Sequence, residues 1–233
     1  MDKVAVYACT RNMYEQMFVC LKSLLANTVM DRVYLLIEDD EFPYTLPDVC
    51  RIMNVSEQKF FVPGSPNYSN PWSYMAMLRC LLGYILPEEE NRVLWLDCDT
   101  IVNDDISDLF QIDMDGYFYA GAMEPAKSKD IFTYVNSGVM LCNLELLRAS
   151  GKEMELAYFL NTFRFRWADQ EVINLLCQGR IRVIGSEYNQ NAFTLPCVRP
   201  KIIHYAAIKD FQSDWAWQKY ANLELFTEVK GDE

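Results

Sequence analysis

Two short apolar segments flank an amphipathic segment near the N-terminus, and this order constrains the fold more than any other feature of the chain. Residues 3–8 and 32–37 are apolar runs of strand length, and residues 13–26 carry apolar side chains at helical spacing. A strand, a helix and a second strand in this order are typical of a parallel sheet covered by helices. The chain is therefore predicted to be an α/β protein.

The same alternation continues along the rest of the chain. Further strands are predicted near residues 51–55 and 59–62, at 92–97, 117–122, 138–142 and 181–184, and in a last run that ends at His204. Further helices are predicted at residues 73–86, 144–149, 152–162, 168–177 and 215–227. No repeat or linker interrupts the pattern, so we expect residues 1–233 to form one domain with a helical tail at about 211–233.

The charge balance limits the classes of partner. The net charge is −12, which argues against nucleic acid, because nucleic-acid binding relies on Lys and Arg that neutralise phosphates. No apolar run reaches roughly 18 residues, so we predict no transmembrane helix. No signal peptide is evident either. Six of the eight cysteines lie inside apolar strand or helix patterns, which favours reduced, buried thiols in a cytoplasmic protein. The oligomeric state stays open.

An Asp-x-Asp triplet at residues 97–99 directly follows a buried strand pattern. Its carboxylates should emerge at the carboxyl edge of the sheet, where open α/β sheets bind their ligands. A second triplet at residues 113–115 lies in a polar stretch before Gly116 and is typical of a surface turn. The context of the first triplet, rather than the triplet itself, makes it a candidate metal site.

The one histidine of the chain, His204, also ends an apolar strand pattern. A histidine in that setting is more often a structural residue than a ligand. If its strand ends beside Asp97 and Asp99, two carboxylates and one imidazole would suit Mn²⁺ or Mg²⁺ better than Zn²⁺. A metal held in this way commonly binds phosphate.

Two further polar motifs each have a structural alternative. Asn136 and Gly138 precede an apolar strand, and could present an amide and a close approach to a ligand, or simply a turn into the core. Asp169 and Gln170 begin a predicted helix, where the acid suits the positive end of the helix dipole and could serve only as a cap.

Four blocks in this order resemble those of glycosyltransferase family 8, which contains glycogenin and the bacterial lipopolysaccharide galactosyl- and glucosyltransferases. They are an arginine-containing helix that leads into the Asp-x-Asp strand, an Asn-Ser-Gly block, an Asp-Gln block and the start of a C-terminal His motif. These blocks lie at residues 79–102, 135–144, 168–174 and 202–205. The resemblance extends from about residue 3 to about residue 209.

The resemblance implies a GT-A fold, a single Rossmann-like domain with a mixed central sheet. It implies a hexosyltransferase that uses a UDP-sugar and Mn²⁺, or Mg²⁺ in its place, and retains the anomeric configuration. The metal would bind to Asp97, Asp99 and His204, and the catalytic residues would be Asp169 and Gln170. The residues implied in donor binding are Ala8, Thr10, Tyr14, Arg79, Asp97, Cys98, Asn136 and Lys209. Glu124 is a weaker candidate for contacts to the sugar or acceptor.

Two of these assignments depend on details in which the chain and the family differ. The aromatic residue that stacks on uracil falls at Met13 or Tyr14, and we favour Tyr14. The family's C-terminal motif continues with a glycine and a lysine that grip the diphosphate. Here the glycine is replaced by Ala207, and the lysine arrives one residue early as Lys209. A weakened grip would raise the donor KM or permit another donor.

Several alternatives remain at the level of sequence. Gln170 is a poor nucleophile, so we favour attack by the acceptor on the leaving-group face. A nucleotidyltransferase of related fold would show a glycine-rich basic loop after the first strand, which residues 8–12 lack. A catalytically weak or inactive UDP-sugar or glycan-binding homologue is the main alternative. The donor could be UDP-glucose or UDP-galactose, and the acceptor a glycan, a glycolipid or a protein.

Overall fold

The computed structural model describes residues 2–69, 73–129 and 132–225. The strands are β1 (Val4–Ala8), β2 (Arg32–Ile37), β3 (Cys50–Asn54), β4 (Arg92–Leu96), β5 (Thr100–Val102), β6 (Tyr119–Met123), β7 (Val135–Asn143), β8 (Ile181–Ile184) and β9 (Ile202–His204). The α-helices are α1 (Tyr14–Asn27), α2 (Ser73–Met77), α3 (Leu82–Ile85), α4 (Leu144–Ser150), α5 (Lys152–Thr162), α6 (Ala168–Leu176) and α7 (Trp215–Ala221). Short 3₁₀ helices lie at Arg11–Met13, Leu78–Cys80, Leu109–Gln111, Ser186–Tyr188 and Phe211–Ser213.

Seven of the strands form one mixed sheet in the order β3-β2-β1-β4-β7-β6-β8. The first four are parallel to one another, whereas β7 is antiparallel to both of its neighbours, β4 and β6. As a result, β7 begins at the edge where β1 and β4 end. The α/β prediction is confirmed, and the polar residues at the start of β7 are brought to the carboxyl edge of β4.

Both faces of this sheet are buried, as the near-continuous apolar strands require. In β1, Ala5 and Tyr7 pack on the side of α1, and Val4 and Val6 pack on the opposite side with α2 to α6. The six cysteines that were predicted inside apolar elements are all buried, which agrees with the prediction. Within the described ranges, none of the helices combines the length and apolarity that crossing a membrane requires.

A separate two-stranded sheet pairs β5 with β9 in antiparallel register. Thr100 lies opposite His204, and the backbone N–H of Tyr205 donates to the carbonyl of Asp99 at 2.9 Å. This register places the histidine directly beside the Asp-x-Asp triplet. Strand β5 is too short to be recognised from periodicity and was not predicted.

Some predicted elements differ from the structure. Residues 59–62 are not a strand, and the helix predicted at residues 73–86 is divided into α2, a 3₁₀ turn and α3. The break lies at Leu81, whose backbone angles (φ −133°, ψ 17°) are not helical. The tail helix ends at Ala221, and residues 226–233 of the predicted tail lie outside the described residues. That the whole chain is one domain stays a prediction.

Glu153 in α5 is a fully buried carboxyl group. Its Oε1 accepts a hydrogen bond from the Gly83 backbone N–H at 2.6 Å, but its Oε2 finds no hydrogen-bond partner among the described residues. Burial raises the pKa of Glu153 to about 7, from an ordinary value of 4.5. Since the unfolded chain releases this proton first, the carboxyl group lowers stability progressively as pH rises from 4.5 to about 7.

Glu153→Gln should remove this penalty, because the amide keeps the acceptor for Gly83 and cannot ionise. We expect the free energy of unfolding to rise by about 2–3 kcal/mol above pH 7 and to change little near pH 4.5. Urea unfolding of both proteins at these two pH values tests this. An equal change in the free energy of unfolding at both pH values would mean that packing, rather than ionisation, causes the difference between the two proteins.

Candidate active site

A cavity of about 320 Å³ opens at the edge of the sheet where β1 and β4 end and β7 begins. It is lined by Ala8, Thr10, Arg79, Asp97, Cys98, Asp99, Glu124, Asn136, Asp169, Gln170 and His204, among others. The structure therefore brings together the residues singled out for the metal and for the transferred sugar. Tyr14 and Lys209 are the two predicted site residues that do not line this cavity.

Asp97, Asp99 and His204 form a compact group of ligand atoms. One donor atom from each lies within 4.8 Å of the others, and His204 Nε2 is 3.3 Å from Asp99 Oδ1 and 3.9 Å from Asp97 Oδ2. Burial alone would lower the pKa of His204, but the two carboxylates reverse this and raise it. Burial would likewise raise the pKa of Asp99, but the imidazole leaves it below its ordinary value. The group thus favours a positive charge at its centre.

The buried guanidinium of Arg79 connects this group to Asp169. Its Nη2 donates to Asp97 Oδ1 at 2.8 Å, and its Nε lies 3.0 Å from Asp169 Oδ2. A third bond goes to the carbonyl of Ser137, and the guanidinium stacks on the Trp95 ring at 4.6 Å from the centroid. Trp95 Nε1 also donates to Asp97 Oδ1 at 2.8 Å, so one oxygen of Asp97 is fixed while the other faces His204.

The cluster holds three carboxylates and a single guanidinium, which contacts two of them. Asp97, Asp99 and Asp169 carry three negative charges when ionised, against one positive charge on Arg79. Burial raises the pKa of Asp169 to about 6, although Arg79 and a hydrogen bond from Ser137 Oγ at 3.1 Å lower it. With His204 neutral, two negative charges are left without a partner in this cluster, which a divalent cation would compensate.

Gln170 and Asn136 meet at Glu124. The side-chain amides donate to Glu124 Oε1, at 3.2 Å from Gln170 Nε2 and 2.8 Å from Asn136 Nδ2. Gln170 Oε1 accepts from the backbone N–H of Ser137 at 3.0 Å. Lys127 neutralises Glu124 from the cavity side, 2.7 Å from its Oε2. These contacts fix both amides at the wall of the cavity on which Asp169 lies.

Gly138 allows β7 to approach His204 without a side chain between them. A Cβ added at Gly138 would lie 2.7 Å from both ring nitrogens of His204 and closer still to Cε1. The backbone carbonyl of Gly138 also accepts from the N–H of Asp97 at 2.8 Å. Glycine is therefore required at position 138 because there is no space for a side chain, and this explains the glycine of the sequence motif.

Gly138→Ala should displace the imidazole and lower stability by about 1–3 kcal/mol, because the new methyl group overlaps a buried ring. We expect Mn²⁺ binding, measured by electron paramagnetic resonance, to weaken as well. Gly121→Ala in the adjacent strand β6 is the control, since its Cβ would meet Val135 at 3.2 Å and the backbone carbonyl of Asn136 at 3.3 Å, but none of the three predicted metal ligands. Unchanged Mn²⁺ binding in Gly138→Ala would contradict the assignment of His204.

The structure does not support the nucleobase contact predicted for Tyr14. Its ring is buried against Phe42, with 5.2 Å between centroids, and its hydroxyl donates to Asp39 Oδ2 at 2.7 Å. The side chain belongs to the core, where Tyr14 packs in one cluster with Phe18 and Phe42. Met13, one residue earlier, lines the cavity and takes over this candidate role.

Lys209 is exposed and lies outside the cavity lining, whereas Ala206 and Ala207 line it. Ala207 has a left-handed backbone with φ of 60°. This conformation costs a non-glycine residue about 1–2 kcal/mol, which explains why a glycine would be favoured here. The contact of Lys209 to a diphosphate stays a prediction.

Sequence reasoning missed Asn189, which is completely buried and lies beside His204. It also missed Lys127, whose ammonium lies over the rings of Tyr134, Trp167 and Phe193 at 4.9, 4.7 and 5.7 Å. Neither residue belongs to a motif, and an amide in a loop looks like an ordinary turn former. Only the three-dimensional arrangement identifies them.

The second Asp-x-Asp triplet lies at the surface, as predicted. The side chain of Asp113 is 70% exposed, and its Oδ2 lies 3.8 Å from Arg182 Nη1. Its Oδ1 accepts a hydrogen bond from the backbone N–H of Asp115. The triplet closes a turn and lies outside the cavity.

The model of a known family, described as glycosyl transferase family 8, matches residues 4–209. The chain belongs to glycosyl transferase family 8. Among curated members, glycosyltransferase GlyA of Streptococcus pneumoniae is 26% identical over 67% of this chain and 24% of its own length. The lipopolysaccharide 1,2-glucosyltransferase of Escherichia coli is 28% identical over 51% of this chain and 39% of its own length. This family 8 chain thus spans less than half of these relatives.

Solved structures of similar fold include other glycosyltransferases. GlyE of Streptococcus pneumoniae superposes with a TM-score of 0.73 and 18% identity, over 96% of this chain and 61% of that one. The galactosyltransferase LgtC, solved with donor and acceptor sugar analogs, gives a TM-score of 0.69 and 19% identity over 94% and 95% of the two chains. The family 8 chain therefore has the GT-A fold that the resemblance implied.

Proposed function

We propose that this family 8 protein transfers a hexose from a UDP-sugar to an acceptor hydroxyl, with retention of the anomeric configuration and with Mn²⁺ or Mg²⁺ as cofactor. The observation that carries the proposal is the position of the Asp97–Asp99–His204 group beside the Arg79–Asp169 pair in one cavity. The metal-ligand group would hold a diphosphate through the ion, and the Arg79–Asp169 pair would adjoin the transferred sugar.

The donor set fits a hard divalent cation. Asp97, Asp99 and His204 offer two carboxylate oxygens and one imidazole nitrogen, a set that suits Mn²⁺ or Mg²⁺, and the excess negative charge of the site matches a divalent ion. Such an ion, when bound, acts as a Lewis acid that stabilises negative charge on the departing diphosphate. Ala8, Thr10 and Cys98 at the end of β1 and in the triplet would line the nucleoside part, with Met13 against the base.

The protein groups around the sugar would position it and exclude water. Asp169, oriented by Arg79 and Ser137, would accept a hydrogen bond from a sugar hydroxyl and stabilise the positive charge that develops on the sugar ring. Asn136, Gln170 and Glu124 would contact the remaining hydroxyls. Gln170 is a neutral amide whose oxygen is already hydrogen-bonded to the Ser137 N–H, so it is not suited to act as a nucleophile.

Same-face attack accounts for retention without a covalent intermediate. The bond between the anomeric carbon and the diphosphate oxygen breaks, and a bond to the acceptor oxygen forms on the face from which the diphosphate leaves. The acceptor proton passes to an oxygen of the departing diphosphate. The acceptor belongs to the class of glycans, glycolipids or proteins that carry a free hydroxyl.

A catalytically weak or inactive sugar-nucleotide-binding protein is the second candidate. The exposed position of Lys209 outside the cavity favours it, because a bound diphosphate would then lack the lysine contact that the family resemblance implies. This candidate predicts donor binding without turnover.

A screen of UDP-glucose, UDP-galactose and UDP-N-acetylhexosamines, with and without Mn²⁺, separates the two candidates. We expect metal-dependent hydrolysis of one donor at a slow rate, since water replaces the missing acceptor. Binding without hydrolysis, even after common hydroxyl acceptors are added, would favour the second candidate. If none of the UDP-sugars bound, the donor class would be wrong.

A further inference from the structure

The side chain of Asn189 connects the candidate metal site to the candidate sugar site. It is completely buried, and its two polar atoms contact side chains from both groups. Its Oδ1 lies 2.9 Å from His204 Nδ1, and its Nδ2 lies 3.0 Å from Asn136 Oδ1. Because amide oxygen and nitrogen have nearly the same shape, the direction of these bonds must be established from neighbours of fixed polarity.

A backbone group fixes the direction of the first contact. The N–H of Gly138 can only donate, and it lies 3.0 Å from Asn136 Oδ1. The other atom of that amide, Nδ2, correspondingly donates to the Glu124 carboxylate at 2.8 Å. Asn136 therefore presents an oxygen to Asn189, and the Asn189 atom that faces it must be the donor, Nδ2. Its Oδ1 then points at His204.

Two other backbone N–H groups establish the same orientation of the Asn189 amide independently. Asn191 Oδ1 accepts from the backbone N–H groups of Phe193 and Thr194, at 2.8 and 3.2 Å. Its Nδ2 therefore points away from them and donates to Asn189 Oδ1 at 3.0 Å. Since Asn189 accepts from Asn191 with this oxygen, the contact between that oxygen and His204 Nδ1 requires a proton on Nδ1.

We propose that Asn189 is a positioning residue that holds His204 as the tautomer with the proton on Nδ1. The lone pair of the neutral ring is then on Nε2, the atom that faces Asp97 and Asp99. A ligating histidine commonly donates its other N–H to a neighbour that fixes its orientation and raises its basicity. Through Asn136, the same amide links the orientation of the imidazole to the wall that would contact the sugar. The metal-binding part rests on the proposed function, whereas the tautomer does not.

The single histidine of the chain makes a direct test possible. Protein labelled with ¹⁵N in histidine gives the ring signals of His204 alone, and their shifts at the alkaline end of the titration identify the tautomer. We expect a proton on Nδ1 in the wild-type protein, with and without the diamagnetic ion Mg²⁺. A neutral ring protonated on Nε2 would overturn the proposal without any variant having been made.

Two substitutions separate orientation from packing. Asn189→Ala removes the acceptor, so we expect a mixture of tautomers and about 10–100-fold weaker Mn²⁺ binding by electron paramagnetic resonance. Asn189→Asp keeps an acceptor for Nδ1 and should keep the tautomer and most of the Mn²⁺ affinity, although it loses the donor to Asn136.

Asn67→Ala is the matched control. Asn67 is also buried and hydrogen-bonded, to the carbonyls of Leu160 and Phe163 and the N–H of Phe165, but it lies outside the cavity. It should lower stability and leave the tautomer unchanged. If Asn189→Ala behaved like Asn67→Ala in both measurements, Asn189 would be structural only. Absence of Mn²⁺ binding by the wild-type protein would contradict the proposed cofactor, and the tautomer would still test the role of Asn189.

Discussion

Asp169→Asn should lower turnover by about 10²–10³-fold and leave the affinity for UDP nearly unchanged. The carboxylate lies on the sugar side of Arg79, so its charge would act on the positive sugar ring in the transition state and not on the nucleotide. Asparagine has the same shape but lacks the charge. Turnover with the donor found in the screen, and UDP binding by calorimetry, measure the two effects separately.

Glu153→Gln is the matched control for this prediction. It also neutralises a buried carboxyl group, but Glu153 lies outside the cavity, so turnover should be that of the wild-type protein. If Asp169→Asn lost UDP affinity and turnover in equal measure, Asp169 would act on the nucleotide or on the fold, and its assignment to the sugar would be wrong.

Asp99→Asn should weaken Mn²⁺ binding and lower turnover at limiting Mn²⁺ by about a hundredfold. The amide oxygen is a poorer ligand than a carboxylate, and the site loses one of the negative charges that attract a divalent ion. Removal of metal with a chelator should abolish turnover in the wild-type protein, and added Mn²⁺ should restore it. Turnover measured across a range of Mn²⁺ concentrations reports both effects.

The chain contains its own control for this substitution. Asp113→Asn changes an acid of the surface triplet, which is mostly exposed and lies outside the cavity. It should leave the dependence on Mn²⁺ unchanged. Equal metal dependence in Asp99→Asn and in the wild-type protein would show that Asp99 does not bind the ion, and the proposed ligand set would have to be abandoned.

Local patterns were sufficient to predict most of the sheet and part of the site. Strands β1, β2 and β4 are apolar runs whose ends are marked by polar residues, so their burial and their shared edge follow from the sequence. Asp97 and Asp99 were recognisable because they follow such a run. The same reasoning failed at residues 73–86, where the helical pattern is interrupted at Leu81, whose backbone angles are not helical.

Contacts between distant parts of the chain could not be predicted. The pairing of Thr100 with His204 joins segments about a hundred residues apart, and a three-residue strand carries no periodic signal. Asn189 is identified only by its position beside His204 and Asn136. Tyr14 and Met13 are adjacent in sequence, and only the orientation of α1 decides which of them faces the cavity.

The antiparallel direction of β7 has a consequence for how the protein responds to ligands. Strands β4 and β7 are central to the sheet, and their pairing joins residues 92–96 to residues 139–143. Asp97 directly follows β4, and Asn136, Ser137 and Gly138 at the start of β7 line the cavity, so part of its wall belongs to the core of the sheet. Occupancy should therefore stabilise the fold globally: a ligand at a hundred times its Kd adds about 2.7 kcal/mol to the free energy of unfolding. Thermal shift in crude extracts would then reveal a natural donor before any acceptor is known.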